Sequence, residues 1–346
     1  MKWRGIRKNL WLSITIVLVI FVVGIVVGYI GKSLTAVPVV ITAVRDSKNG
    51  YPLINPVLYT ELPESLSYPK YSALKDALTK YVAIAKQNES VSQVAVYYRD
   101  MNGSQWVGIN PKDTYNPASM LKVVTLIGVL QAGESNPHIF TDNIKVPSSV
   151  AIPTADDQTF YPPKDPVKSG ISYSVNDLIS RMIVHSDNGA NALLTTFLGD
   201  SVTSNNYANL HIPIPSKGTT ADVSPQQYSR LFRILYNSSY LNTEDSEKAL
   251  QLLSTTDFVD GLVAGVPQGI TVAHKFGENM YPPETPSDPS SGAPGLNDCG
   301  IVYYPDHPYF LCVMTKGKDF PTLAGVIKDI SHITWQQVQA VYPAKS

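Results

Sequence analysis

The chain has 346 residues, enough for one large domain or two modest ones with a packed apolar core. Its formal net charge is −1 and only 16% of its residues are charged, so no overall positive field draws it to nucleic acid. The six histidines lack metal-ligand spacing, and neither a metal nor another cofactor is expected.

An uncharged apolar run from Leu10 to Ile30 predicts a transmembrane helix, because about twenty such residues span a bilayer. Basic residues before the run outnumber those that closely follow it, which predicts a cytoplasmic leader at residues 1–9 and an extracytoplasmic remainder. A cleaved signal peptide is the alternative, but the run is long and no Ala-x-Ala site follows it. We therefore expect a single-pass cell-membrane protein whose residues 10–30 contact the lipid bilayer.

Residues 31–65 predict an extracytoplasmic linker, because prolines recur there without a sustained hydrophobic period. The folded domain is then 66–346, and its cysteines, Cys299 and Cys312, would meet an oxidising compartment. A hairpin with Tyr304 opposite Tyr309 puts the cysteines diagonally, about 7–8 Å apart. That spacing is at the limit of disulfide geometry, so the pattern favours two buried free thiols.

Strand patterns lie at both ends of the domain, and helix patterns fill its middle. An Asn-Gly turn at Asn102 joins two strands of a hairpin, and a second hairpin spans 299–315. This order predicts an α+β fold in which both ends of the domain complete one antiparallel sheet. The predicted strands are 91–100, 104–110, 269–278 and the 299–315 hairpin; the predicted helices are 71–87, 119–133, 175–185, 189–199, 224–239, 243–255 and 321–341.

Ser119 and Lys122 are the first candidate catalytic pair. Three residues apart on a helix, their side chains lie on one face, and the first helical turn favours developing negative charge. The pattern alone is weak, since Ser67–Lys70 and Ser72–Lys75 repeat it. However, Lys122 lies in an apolar run, where an unpaired charge is costly. This context favours a serine nucleophile with a lysine base.

Two further motifs follow in chain order. Ser186-Asp187-Asn188 sits at a junction between two predicted helices, where these residue types can also act as caps. Lys275-Phe276-Gly277 ends a predicted strand, a position where a lysine is ordinarily solvated. Neither motif is specific by itself.

The ordered set of three motifs resembles the class A β-lactamase and penicillin-binding-protein family, whose motifs are S-x-x-K, S-D-N and K-T-G. The resemblance covers roughly residues 66–346 and extends to the segments TTADVSP, LNDCGIVYYP and YFLCVMTKG. It implies a β-lactamase/transpeptidase-like fold, with an antiparallel sheet of about five strands flanked by helices and an all-helical subdomain. Gly-x-Ser-x-Gly is absent, which argues against an α/β-hydrolase.

The resemblance also implies a role for each matching residue. Ser119 would attack a carbonyl to form an acyl-enzyme, and Lys122 would accept its proton. Ser186 would relay a proton to the leaving nitrogen, and Asn188 would hold a substrate amide. Lys275 would supply positive charge for a substrate carboxylate and lower the pKa of Lys122.

Three further positions are candidate substrate contacts. Gly277 belongs to the third motif, and the N–H groups of Ser119 and Glu278 would form an oxyanion hole. Tyr161 is a candidate for the mouth of the cleft.

Two departures from the family pattern bear on function. Phe276 stands where the family has a Thr or Ser whose hydroxyl bonds the substrate carboxylate. The deacylating Glu of a Glu-x-x-Leu-Asn pattern is also missing, since Asp200 is the only acid between Leu194 and Ala221. We therefore expect weaker or different carboxylate recognition and poor deacylation.

Three functional hypotheses remain open at this point. The first is a β-lactamase-like hydrolase with an acyl-serine mechanism on β-lactam-like or D-Ala-D-Ala-like amides. The second is a D,D-peptidase or transpeptidase that acts on the peptidoglycan stem peptide, and the third is a sensor that is acylated without turnover. The sequence leaves the oligomeric state open.

Overall fold

The structure is a computed structural model that describes residues 14, 16–27, 43–45, 52–54, 57–60, 69–103, 105–147, 160–214, 221–282 and 292–343. The chain divides into two compact units, residues 1–41 and 42–346. In the first unit, residues 16–27 form helix α1, whose side chains are exposed. Within the described ranges, no helix meets the length and apolarity needed to cross a membrane. Residues 10–13, 15 and 28–30 of the predicted anchor lie outside those ranges.

A five-stranded antiparallel sheet forms the centre of the second unit. Its strand order is β4-β3-β9-β8-β7, so the first strands of the domain pair with the last ones. This arrangement confirms the predicted sheet that both ends of the domain complete. The strands are β3 (Val91–Asp100), β4 (Trp106–Ile109), β7 (Val272–Tyr281), β8 (Ala293–Val302) and β9 (Tyr309–Gly317).

Both faces of the sheet are buried, because side chains that alternate along each strand enter two separate cores. On one face, Val96 and Tyr98 pack with helices α2 (Ser72–Gln87) and α9 (Phe320–Val341). On the other face, Ala95 and Tyr97 pack into the core of the helical part of the domain. The sheet is therefore the middle layer of three.

The helical part lies between β4 and β7 in sequence. Its first helix, α3 (Lys122–Ser135), is buried along most of its length, as the apolar run predicts. Side-chain caps fix where several of the following helices begin, and Ser224 forms a full capping box with Gln227. The other helices are α4 (Val175–Val184), α5 (Asn188–Leu198), α6 (Asp200–Asn209), α7 (Pro225–Tyr236) and α8 (Thr243–Leu253).

Helix α6 has no counterpart among the predicted helices. Its sequence, DSVTSNNYAN, has no apolar period and is rich in Ser, Thr and Asn, which favour caps and turns over helix interiors. Tertiary packing against α3 compensates, because Gly128 has no Cβ and leaves room for the Asn206 amide. A Cβ at Gly128 would lie 2.3 Å from Asn206 Nδ2.

Two small two-stranded sheets complete the described structure. Strands β1 (Ala43–Arg45) and β2 (Val57–Thr60) pair within the segment predicted to be a linker. Nearby, Leu53 N donates to a Glu247 carboxylate oxygen at 2.9 Å, which ties this segment to α8. The second sheet pairs β5 (Asn143–Lys145) with β6 (Ser172–Ser174).

The prediction of two free thiols is wrong, because Cys299 and Cys312 form a disulfide. The predicted hairpin register was off by two residues: Val302, not Tyr304, lies opposite Tyr309. The connection between β8 and β9 is correspondingly longer, and this register puts the two cysteines directly opposite each other. A direct cross-strand pair brings the two sulfurs within bonding reach, whereas a diagonal pair does not.

Candidate active site

Ser119 lies in a tight 3₁₀ turn, Ala118–Leu121, that leads into α3. The predicted helix therefore begins as a 3₁₀ turn, and the α-helix proper starts at Lys122. Ala118 has a φ of +48°, a conformation that is unusual for a residue with a side chain, and its N–H donates to Asn116 Oδ1 at 2.9 Å. This turn leaves the Ser119 side chain half-buried at the edge of a cavity.

Lys122 is the charged residue that contacts Ser119. Its Nζ lies 2.8 Å from Ser119 Oγ and 2.7 Å from Asn188 Oδ1. The same amine also bonds the Ser186 carbonyl and lies 3.2 Å from Ser186 Oγ. The structure thus brings the first two motifs together, and the Lys122 side chain is only 3% exposed.

The second motif forms the junction between α4 and α5. Ser186 has a φ of +58°, which costs energy but directs its side chain between two lysines. Asp187 caps α5 by accepting the N–H of Gly189 at 2.8 Å, and it also accepts Val167 N at 2.8 Å. These bonds hold Asn188 at the start of the helix, beside Lys122.

Lys275 comes from β7, the edge strand of the sheet, and is completely buried. Its Nζ donates to Ser186 Oγ at 2.8 Å and to the Phe276 carbonyl at 3.2 Å. Gly277 allows this strand to approach the Ser119 turn, since a Cβ there would lie 2.3 Å from the Pro117 carbonyl oxygen. The structure therefore brings five of the predicted residues into one hydrogen-bonded cluster, and Gly277 packs against it. The five residues are Ser119, Lys122, Ser186, Asn188 and Lys275.

Burial and the neighbouring ammonium group control the protonation of this cluster. Burial lowers the pKa of Lys122 well below its usual range, and the positive charge of Lys275 lowers it further. Burial also lowers the pKa of Lys275, to about 7, although the carboxylates of Asp298 and Glu278 oppose that shift. A Lys122 amine that loses its proton readily can accept the proton of Ser119, which is the chemistry of a serine nucleophile.

The third motif, Lys275-Phe276-Gly277, has an aromatic ring where the family pattern has a hydroxyl group. The Phe276 ring is buried and stacks on Phe258, with ring centres 4.3 Å apart. Tyr161 packs edge-on against both rings, and its N–H donates to both carboxylate oxygens of Glu278 at 3.2 Å. Tyr161 and Glu278 thus help to close an aromatic wall beside Lys275.

Several residues of the site carried no motif signal. Asn297 Nδ2 donates a hydrogen bond to the Asn116 carbonyl at 2.9 Å, which links the Ser119 turn to β8. His274 bonds Asp298 at 2.8 Å and Thr256 at 2.7 Å, as expected for a packing residue behind Lys275. A cavity of about 460 Å³ opens beside Ser119 and extends between α5 and α6, where Asp200 lines it. Only the three-dimensional structure brings these residues to the site.

The fold and the cluster of Ser119 with two buried lysines point to a serine hydrolase. A family model described as the beta-lactamase enzyme family matches residues 73–338. The chain belongs to this family, which confirms the resemblance that the three motifs indicate. No curated protein matches the chain.

Solved structures with the same fold include β-lactamases and PBP-A. A β-lactamase from Xanthomonas campestris pv. campestris has a TM-score of 0.64 and 18% identity, over 77% of this chain and 98% of its own. PBP-A has a TM-score of 0.60 and 18% identity, over 76% of this chain and 97% of its own. A PBP-A mutant, solved as an acyl-enzyme complex with penicillin G, has a TM-score of 0.62 and 16% identity, over 77% and 97% of the two chains.

The pH dependence of Ser119 reactivity tests the coupling between the lysines. Only neutral Lys122 accepts a proton, so reactivity rises as pH rises through the Lys122 pKa. Lys275→Met removes an ammonium charge that lowers this pKa. The rising limb of the curve of labelling rate against pH therefore moves to higher pH. The measurement is the rate at which a fluorophosphonate probe labels Ser119 between pH 4 and 9. Lys75→Met, on the exposed face of α2, is the control and leaves the limb in place. A limb that stays in place or moves to lower pH in Lys275→Met contradicts the coupling.

Proposed function

We propose that the chain is an acyl-serine enzyme that accepts β-lactam-like and D-Ala-D-Ala-like amides and releases β-lactam acyl groups slowly. The observation that carries this proposal is the 2.8 Å distance between Lys122 Nζ and Ser119 Oγ, within a cluster that favours a neutral lysine. The acyl-enzyme that a PBP-A mutant forms with penicillin G supports β-lactams as acyl donors for this fold.

Slow deacylation follows from the residues around the cavity. Hydrolysis of an acyl-serine needs a group that activates water, and a glutamate of a Glu-x-x-Leu-Asn pattern has that role in the class A enzymes this chain resembles. The cavity's described lining contains no glutamate, and its only acid is Asp200, whose side chain is exposed. Transfer to an amine or slow hydrolysis is therefore favoured over rapid antibiotic turnover. This supports a D,D-peptidase or transpeptidase, or a sensor that stays acylated.

A membrane location is also part of the proposal. Residues 16–27 are helical and uncharged, with exposed Ile, Leu, Val and Phe side chains, and they belong to the longer apolar run 10–30. We infer an N-terminal anchor that holds the catalytic domain outside the cytoplasm, near peptidoglycan. Membranes washed with alkaline carbonate should retain the full chain and release a chain that begins at residue 42. Release of both chains would contradict the anchor.

Labelling with a fluorescent penicillin tests the enzymatic proposal. We expect one equivalent of stable label on Ser119 and no sustained hydrolysis of a chromogenic cephalosporin. Ser119→Ala removes the label, whereas Ser72→Ala, in the second Ser-x-x-Lys pattern, keeps it. Undiminished labelling of Ser119→Ala would show that the nucleophile is assigned wrongly, and sustained turnover would reject slow deacylation. Release of D-Ala from a wall pentapeptide would then distinguish a peptidase from a sensor.

Replacing the aromatic residue of the third motif tests carboxylate recognition. Phe276→Thr restores a hydroxyl, and a hydrogen bond to a charged group contributes about 1.5–3 kcal/mol, or roughly 10-fold to 150-fold in rate. We expect faster acylation of Ser119 by benzylpenicillin, together with a loss of about 2–4 kcal/mol in stability, because a buried ring is removed. The methyl ester of benzylpenicillin has no carboxylate, so Phe276→Thr should increase its rate of acylation only a little. An equal gain for acid and ester would mean that the hydroxyl does not bind the carboxylate.

A further inference from the structure

The cavity beside Ser119 has two chemically different ends. At one end, Ser119 and Lys122 present the nucleophile and its base. The other end lies between α5 and α6, where Asp200 is the first residue of α6 and its side chain is exposed. Lys122 and Asp200 are the only charged residues among the described residues that line this space. Because Lys122 is buried in its own hydrogen bonds, the accessible charge among these described residues is negative.

The wall around Asp200 is rich in hydrogen-bond acceptors. Asn191, Thr195, Thr203 and Ser204 line the cavity around Asp200 with amide and hydroxyl groups. A ligand group in this space meets one negative charge and several groups that can accept a hydrogen bond. An ammonium group has three N–H donors and the complementary charge.

The opposite side of the nucleophile cannot take such a group in the same way. There Lys275 is fully buried, its amine bonds Ser186 and the Phe276 carbonyl, and the aromatic wall of Tyr161, Phe258 and Phe276 closes the strand edge. A substrate therefore meets open, acceptor-lined space mainly on the α5–α6 side. Since the acyl group becomes attached to Ser119 at the mouth of that space, its side chain is the part that can reach Asp200.

We propose that the α5–α6 end of the cavity is a subsite for a primary ammonium group on the acyl part of the substrate. Asp200 is its counter-ion, and the amide and hydroxyl groups that line the cavity are its further acceptors. The preferred substrate class is thus an amide whose acyl part carries a primary amine. This inference rests on the proposed acyl-serine function and adds the substrate class to it.

Three penicillins that differ at one position test the subsite. Ampicillin, benzylpenicillin and carbenicillin share one ring system, and the carbon next to their side-chain carbonyl bears an ammonium, a hydrogen and a carboxylate, respectively. The second-order rate constant for acylation of Ser119 in the full chain is measured by intact-protein mass spectrometry. We expect ampicillin to react about tenfold faster than benzylpenicillin, which corresponds to about 1.4 kcal/mol. Carbenicillin should react slowest, and raising the salt concentration should reduce the differences.

The variant Asp200→Asn removes the counter-ion and keeps the size of the side chain. We expect the ampicillin-to-benzylpenicillin ratio to fall to within about twofold of one, a ratio that does not depend on how much of the variant is folded. The control Asp76→Asn neutralises an exposed acid on α2 and should keep the wild-type ratio.

Three other outcomes would contradict the subsite, and one of them would also contradict the acyl-serine function. Equal rates for ampicillin and benzylpenicillin in the wild type overturn the subsite but leave the acyl-serine function intact. An Asp200→Asn variant that keeps the wild-type ratio, and instead loses each acyl group more slowly, assigns Asp200 to water activation and also overturns the subsite. No labelling by any of the three penicillins rejects the proposed function, and the subsite with it.

Discussion

The burial of two lysines around one serine hydroxyl is the constraint on which the site depends. Lys122 and Lys275 both reach Ser186 Oγ, and both side chains are almost fully buried. Two ammonium groups that contact the same hydroxyl in a protein interior repel each other, and each loses its hydration. Burial and the charge of Lys275 lower the pKa of Lys122, whereas the carboxylates of Asp298 and Glu278 partly offset the lowering of the Lys275 pKa by burial. This arrangement would let Lys122 act as the base that the proposed mechanism needs, and it requires both lysines to stay in place.

Three separate chain segments must meet within hydrogen-bonding distance to maintain that arrangement, and particular local features allow it. Gly277 lets the edge strand approach the Ser119 turn, and the left-handed conformation of Ser186 directs its hydroxyl between the lysines. Lys275 also stands in a cross-strand row with Cys299, Cys312 and Tyr97, so the disulfide lies next to it on the same face of the sheet. Directly opposed residues in antiparallel strands share a face, and this row connects the catalytic edge of the sheet to its centre.

The sequence predicts the cluster well because the residues of the cluster belong to short sequence motifs. Ser119 and Lys122 are one turn apart, Ser186 and Asn188 flank a cap, and Lys275 precedes a glycine, so local spacing carries most of the information. Features that depend on long-range packing are not predictable in this way. Helix α6 has no apolar period and packs against α3, where Gly128 leaves room for Asn206. The disulfide depends on a hairpin register that a shift of two residues changes from diagonal to direct. Asp200 has no motif around it, and only the packing of α5 and α6 brings it to the cavity.

The two departures from the family pattern act on opposite sides of the nucleophile, and together they change what the site can select. Phe276 replaces a polar contact on the β7 side with an aromatic wall that Tyr161 and Glu278 complete. On the other side, a helix without a glutamate lines open space with hydroxyls, amides and one aspartate. Binding energy that discriminates between substrates must come from groups that contact them, and in this site most such polar groups lie on the acyl side. Selection by the acyl group also agrees with the slow deacylation that we propose, because an acyl-enzyme that persists gives a second substrate time to accept the acyl group.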